Sequence, residues 1–171
     1  MKIGVLKEIH AGEKRVATTP DITEKLLKLG FEVVIQAGAG EAANFSDKSY
    51  LEAGASICKD AKTICDAADV LIKVRAPQEN FNTEQHEIEL IRRGCNVISF
   101  IWPAQNEGLL KQLAEHGITT LAMDSIPRIF RAQKLDALSS MANIAGYRAV
   151  VEASSQFGRF FSGQITAAGK V

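Results

Sequence analysis

The chain has 171 residues, 46% hydrophobic and 23% charged, which suits a single globular domain able to fill a core. Lysine plus arginine balance aspartate plus glutamate at 20 each, and the scatter of the basic residues excludes the concentrated patch that a nucleic-acid surface requires. No apolar run has membrane-spanning length and no charged-then-apolar leader opens the chain. Cys58, Cys65 and Cys95 lack metal-type spacing and read as reduced thiols in a cytosol-like compartment. His10, His86 and His116 lie far apart, so no metal site is expected.

In chain order, Lys2 to Lys7 reads as a short apolar strand and Glu8 to Thr18 as a polar loop. Thr19 is placed to cap a helix whose first turn takes Pro20, with Asp21 and Glu24 toward the positive end of its dipole. Ile22, Leu26, Leu27 and Leu29 form its expected buried stripe, and Gly30 ends it. Phe31 to Gln36 is the next strand. A strand, helix and strand in this order predict parallel pairing with a right-handed crossover.

Ala37 to Asn44 reads as a loop, Asp47 to Ala53 as a short helix, and Asp60 to Ala68 as another with Ile64 inward. Val70 to Val74 is a third strand. A turn over Ala76 to Asn82 then leads to a helix from Thr83 to Arg92. Asn96 to Ile101 is a fourth strand, followed by Trp102-Pro103. Asn106 is placed to cap a helix with Leu109, Leu110 and Leu113 on one side, ended by Gly117, and Ile118 to Ala122 is a fifth strand. This alternation predicts an α/β fold: a Rossmann-like or flavodoxin-like doubly wound, mainly parallel sheet flanked by helices, with a long C-terminal helix. Ligands in such folds sit beyond the carboxyl ends of the strands, where loops 8–18, 75–82, 102–106 and 123–138 would lie.

The most polar stretch is Arg128 to Arg148, beginning just after Pro127. It crowds Arg128, Arg131, Gln133, Lys134, Asp136, Ser139, Ser140 and Asn143 together. An unpaired buried donor or acceptor costs about 1–3 kcal/mol, so this stretch is either a solvated loop or a surface for a polar ligand. From about Ser139, Met141, Ile144, Ala145 and Val151 recur at helical spacing. A polar loop feeding a helix start suits a polar ligand, but an ordinary capped helix explains the same Ser, Asp and Asn residues. The helix is expected to run to about Phe161. Phe157, Phe160 and Phe161 at its end must either fold back on the sheet or pack on a part outside this sequence, and the second is expected.

Gly38-Ala39-Gly40-Glu41-Ala42-Ala43 fits a dinucleotide fingerprint, and Asp60 lies about twenty residues on. Asn44 to Asp47 does not open a good helix, however, so no helix start is available for a pyrophosphate. The glycines read instead as a tight turn.

The segments IGVLKEIHAGEKRVATTP, GFEVVIQAGAGEAANFSD, FIWPAQN, MDSIPRIFRAQKLDALSSMANIAGYRAVVEA and GRFFSGQITAAGKV carry a resemblance over essentially the whole chain. They resemble the N-terminal domain of alanine dehydrogenases and NAD(P) transhydrogenases, and within that group the α subunit of the proton-translocating transhydrogenases. The resemblance implies two α/β lobes with NAD(H) between them. Residues 1–138 would be the first lobe, and 139–171 the long helix and the start of the connection to a second, NAD-binding lobe beyond this sequence. It also implies hydride transfer from NADH to NADP⁺ held on a separate domain, a membrane domain coupling that step to proton passage, and association into a homodimer. The location implied is the cytoplasmic face of a bacterial inner membrane, or the matrix face in a mitochondrion.

By the same resemblance, Arg128, Gln133, Asp136 and Ser139 hold the nicotinamide end of NAD(H), by positioning rather than acid or base chemistry. Asp136 can accept from the carboxamide NH₂, and Ser139 can donate to its oxygen or accept. Arg128 can balance Asp136 or meet the phosphates, and Gln133 would lie where the two rings meet. Arg131 and Lys134 are given no role.

The alanine enzymes of the family use an Arg, a Lys and a His at a substrate. Here the Arg position is Arg15, the Lys position Arg75 and the His position Trp102. An arginine cannot titrate as a base and an indole N–H only donates. Ring-to-ring hydride transfer needs alignment and water exclusion instead, so these departures favour the transhydrogenase reading. Arg15 is then expected to be structural, with Glu8 or Glu13 as partner, and Lys73 and Arg75 to be ion-paired at a strand end on the rim. A third reading is a structural module that self-associates through the last helix, where Ala145, Gly146 and Ala149 permit close approach.

Overall fold

A computed structural model describes residues 1–80, 85–159, 161 and 163–170. The chain divides into two compact units, Met1–Pro127 and Arg128–Val171.

The first unit runs β1 (Lys2–Val5), α1 (Pro20–Lys28), β2 (Glu32–Gln36), α2 (Asp47–Glu52), β3 (Ser56–Cys58), α3 (Ala61–Ala67), β4 (Val70–Arg75), β5 (Glu79–Asn80), β6 (Gln85–His86), α4 (Glu87–Leu90), β7 (Asn96–Phe100), α5 (Glu107–Glu115) and β8 (Thr119–Ala122). Six strands form one sheet in the order β3-β2-β1-β4-β7-β8, and every pair in it is parallel. A parallel sheet has both faces covered because its crossovers are helices. One face packs Leu71 and Val97 against Ile64 and Cys65 of α3, Ile88 of α4 and Leu113 of α5. The other packs Ile3, Val5, Val33 and Ile35 against Tyr50 of α2 and the half-buried Leu26 and Leu27 of α1. The fold is therefore the doubly wound α/β arrangement that the alternating pattern predicts.

Several local expectations change. A sixth strand, Ser56–Cys58, pairs with β2; three residues are too few to show a period. In α1 the buried residue is Thr23, while Ile22 and Leu29 are 43% and 73% exposed. Ile22 lies about 100° around the helix from Thr23, and Leu29 is already the C-cap. The helix expected from Thr83 to Arg92 is the single turn Glu87–Leu90, entered through the bridge of Gln85–His86 to Glu79–Asn80. Its expected first residues, Thr83 and Glu84, lie outside the described residues, as do Phe81 and Asn82 of the turn before it. Asn106 stands at the start of α5 without capping it; its Nδ2 donates to the Ile101 carbonyl at 2.7 Å.

The second unit holds a 3₁₀ stretch, Phe130–Leu135, then α6 (Ala137–Gln156) and the antiparallel pair β9 (Ile165–Thr166) and β10 (Gly169–Lys170). α6 begins two residues before Ser139 and ends before Phe157, whose backbone is extended. Phe157 and Phe161 stack on each other, with ring centroids 5.4 Å apart. Phe160, expected beside them, lies outside the described residues.

Candidate functional site

The four residues singled out for a nicotinamide ring all fall in the second unit, on the approach to α6. Arg128 precedes the 3₁₀ stretch, Gln133 lies within it, Asp136 is the N-cap of α6 and Ser139 is in its first turn. The Asp136 backbone N–H donates to the Gln133 carbonyl at 3.2 Å. Asp136 Oδ1 accepts the Ser139 N–H at 3.1 Å, and Oδ2 accepts the Ser139 hydroxyl at 2.6 Å. The Ser139 hydroxyl, then its N–H, then the charge of Arg128 hold the Asp136 carboxyl below its ordinary range. The Leu138 N–H adds a further bond, so the carboxylate is a fixed anion with three donors on it and about one of its roughly four acceptor sites still open. Asp136 carries the ordinary cap as well as the candidate role.

Arg15, Arg75 and Trp102, the residues expected at the alanine-enzyme positions, lie in the first unit, Arg15 and Trp102 beyond the carboxyl ends of β1 and β7 and Arg75 at the end of β4. Arg15 grips Glu13 with Nε at 2.7 Å and Nη2 at 2.6 Å. Arg75 Nε reaches the same carboxylate at 2.7 Å. Two guanidiniums on one acid, chiefly Arg15 and then Arg75, bring the Glu13 pKa down to about 2. Arg15 thus takes one of its two expected partners, and Arg75 is ion-paired at the strand end as expected. Lys73 is not at the rim. Its side chain is 1% exposed and its Nζ lies 2.5 Å from Glu87 and 3.9 Å from Glu8. Alternation along VLIKVR turns it toward the covered face that Leu71 also meets.

Trp102 stands at φ 54, left-handed backbone for a bulky residue. Asp124 accepts its backbone N–H and that of Ile101. An open cleft of about 510 Å³ lies beside it, lined among others by His10, Arg75, Gln78, His86, Trp102 and Asn106. His10 pairs with Gln78, and His86 accepts the Ile88 N–H. Neither Asp124 nor Glu87 stands out by motif or spacing in the sequence. A lysine inside an apolar strand signals that Glu87 or an equivalent must exist, but nothing local signals Asp124.

The 38–43 turn is built for packing. Gly38 has φ +72, and a Cβ on Gly40 would come within 2.7 Å of the Phe45 carbonyl and of the Tyr50 ring. The helix after it, Asp47–Glu52, is capped by its own Ser46. Among the described residues no helix is long and apolar enough to cross a membrane.

Residues 4–145 match the family model described as alanine dehydrogenase/PNT, N-terminal domain. The chain is 57% identical over its full length to NAD(P) transhydrogenase subunit alpha of Cereibacter sphaeroides, covering 32% of that protein. Among solved structures, a transhydrogenase from Sinorhizobium meliloti matches all of this chain and 49% of its own, at TM-score 0.87 and 40% identity. An L-alanine dehydrogenase matches 99% of this chain and 46% of its own, at TM-score 0.77 and 28% identity. The chain therefore spans from about a third to about half of the length of the proteins it matches.

Proposed function

The chain belongs to the alanine dehydrogenase/PNT N-terminal-domain family, and from that membership we propose that it is the first lobe of the NAD(H)-binding part of a proton-translocating NAD(P) transhydrogenase. The observation that carries this reading is the Asp136 carboxylate at the start of α6, held by Ser139 and favoured by the charge of Arg128, with Gln133 in the turn that leads to it. The donor set fits a carboxamide-bearing ring. The carboxylate of Asp136 keeps about one acceptor site beyond its Ser139 and Leu138 donors, which suits an NH₂ group. Ser139 spends its only O–H on Asp136, so it offers lone pairs, and the amide oxygen is left to Gln133 or Arg128 as donor. When bound, NADH supplies the hydride, and NADP⁺ on a separate domain receives it. The chain's own residues orient the ring, a role worth several orders of magnitude in rate when geometry is held.

The alternative, an alanine dehydrogenase-like activity, is disfavoured by Arg75 and Trp102, neither of which can handle a proton at an amine carbon. Coupling to a membrane domain, a location at the cytoplasmic or matrix face, and homodimer formation with α6 as an interface belong to the same proposal. The whole protein is tested by replacing Arg128, Gln133, Asp136 and Ser139 together with alanine in a chain extended to the length of the subunit-alpha relatives. Loss of NADH-to-NADP⁺ turnover with the fold retained is expected, and undiminished turnover overturns the reading. Titration of NADH into the 171-residue chain should show weak or no binding, against clear binding to the extended chain.

A further inference from the structure

The first unit contains a charge cluster that the proposed function does not use. Glu8, Lys73 and Glu87 have side chains 3%, 1% and 6% exposed. Within this cluster two carboxylates around one ammonium leave one negative charge in excess, and Arg15, which also faces Glu8, is already bound to Glu13; an excess buried charge is costly unless it is neutralised. Glu87 is the better partner. Its Oε1 lies 2.5 Å from Lys73 Nζ, and its Oε2 accepts the Gln78 N–H at 3.0 Å. Glu8 lies 3.9 Å from Lys73. Its remaining bonds go to the backbone, Oε1 to the Val74 N–H at 2.7 Å and Oε2 to the Arg75 N–H at 3.2 Å.

Those two amides sit where the pairing of β4 with β7 shifts register, between Ile72 and Arg75. Glu8 thus serves as their acceptor at an irregularity in the ladder. The same strand end carries Arg75, whose Nε holds Glu13 in the loop that begins with Glu8.

We propose that Glu8 is a proton-operated latch. Ionised, it ties the end of β4 to the 8–18 loop. Protonated, it loses one of its two acceptor oxygens, and the Val74 or Arg75 amide loses its partner, so Arg75 and its bond to Glu13 shift. The groups that face Glu8 are Lys73 and the Arg75 strand end of β4, Glu87 of α4, and Arg15 of its own loop. Burial, the largest influence, raises the Glu8 pKa, and Glu87 adds to it. Lys73 and the two amides oppose without cancelling it. The proton therefore binds at a higher pH than at an exposed glutamate.

The test is a pH titration of the unaltered protein by NMR. It follows the Glu8 carboxyl carbon, the Val74 and Arg75 amides and the Arg75 Nε, with exposed Glu24 and Glu52 as internal references. The expected result is one shared midpoint for the Glu8, Val74 and Arg75 signals, above that of the references. Glu8→Gln should abolish the titration of both amides and, above the acid range in which Glu13 itself protonates, that of the Nε. Should that variant not fold, the unaltered protein still decides. A Glu8 midpoint level with Glu24 and Glu52, or Arg75 signals that fail to follow it, overturns the latch.

Discussion

Asp124 accepts the backbone N–H of Trp102 at 2.8 Å with one carboxylate oxygen and that of Ile101 at 2.7 Å with the other. Trp102 sits at φ 54, a conformation that costs a bulky residue about 1–3 kcal/mol. The carboxylate supplies two charge-assisted bonds to set against that cost. Asp124→Ala should remove them and lower stability by about 1.5–3 kcal/mol. The emission of Trp102, the only tryptophan, should change with it. Urea unfolding followed by that emission reads both effects, and an unchanged midpoint would show that the backbone holds the turn unaided.

Much of the sheet was legible because it rests on patterns longer than one turn. The five longer strands and the helix capped by Thr19 are where apolar runs and punctuation put them. What was not legible depends on pairing across the chain. Ser56–Cys58 becomes a strand because β2 lies beside it. Lys73 is buried because Glu87, fourteen residues on, reaches it. Asn106 gives its side chain to Ile101 rather than to its own helix. Of the candidate site, the polar crowding before α6 was visible, and the cap at Asp136 was visible as the plainer of two readings.

Asp136 can be made to separate its two roles. Asparagine is as good an N-cap as aspartate, so Asp136→Asn should keep α6 while removing the fixed anion. Helix content and unfolding midpoint should stay near those of the unaltered protein. In the chain extended to its relatives' length, NADH-dependent hydride exchange should fall at least about tenfold, the loss of roughly one charged hydrogen bond. Unfolding without a specific loss of exchange would leave Asp136 as a cap alone.

Glu13 sets a pH dependence. Its folded pKa of about 2 lies below its ordinary value of 4.5. A depressed carboxylate stabilises the fold above the unfolded value, and that stabilisation is lost as pH falls through the folded one. Glu8 acts in the opposite sense, since a raised carboxyl favours the fold at low pH and loses that advantage as pH rises through its folded value. Glu13→Gln should therefore be less stable than the unaltered protein near neutrality. The gap should narrow between about pH 5 and about pH 2. A gap that stays constant across that window would mean the two arginines gain nothing from the charge of Glu13.

Gly40→Ala tests whether the 38–43 glycines serve packing or a phosphate. The added methyl would meet the Phe45 carbonyl and the Tyr50 ring at 2.7 Å. Tyr50 cannot retreat easily, because it is fully buried and its hydroxyl donates to the Thr18 carbonyl at 2.7 Å. Overpacking of this kind costs about 1–3 kcal/mol. Stability should drop by that amount, with NADH affinity of the extended chain unchanged. A loss of affinity at full stability would return the turn to candidacy as a nucleotide loop.

Arg75→Lys with Trp102→His installs the residue types that the resemblance expects at these positions of an alanine enzyme, and should not install their chemistry. Lysine at 75 would inherit Glu13, a carboxylate whose pKa already lies near 2, and a partnered lysine stays charged rather than serving as a base near neutral pH. Histidine at 102 would inherit a left-handed backbone held by Asp124, so its ring would point where that geometry directs it and not where a substrate requires. In the extended chain the double variant should reduce no NAD⁺ with alanine, while hydride exchange between the nucleotides persists. Alanine-dependent NADH formation would mean that two side chains alone separate the chemistries, and that pairing with Glu13 does not keep a lysine at 75 from acting as a base.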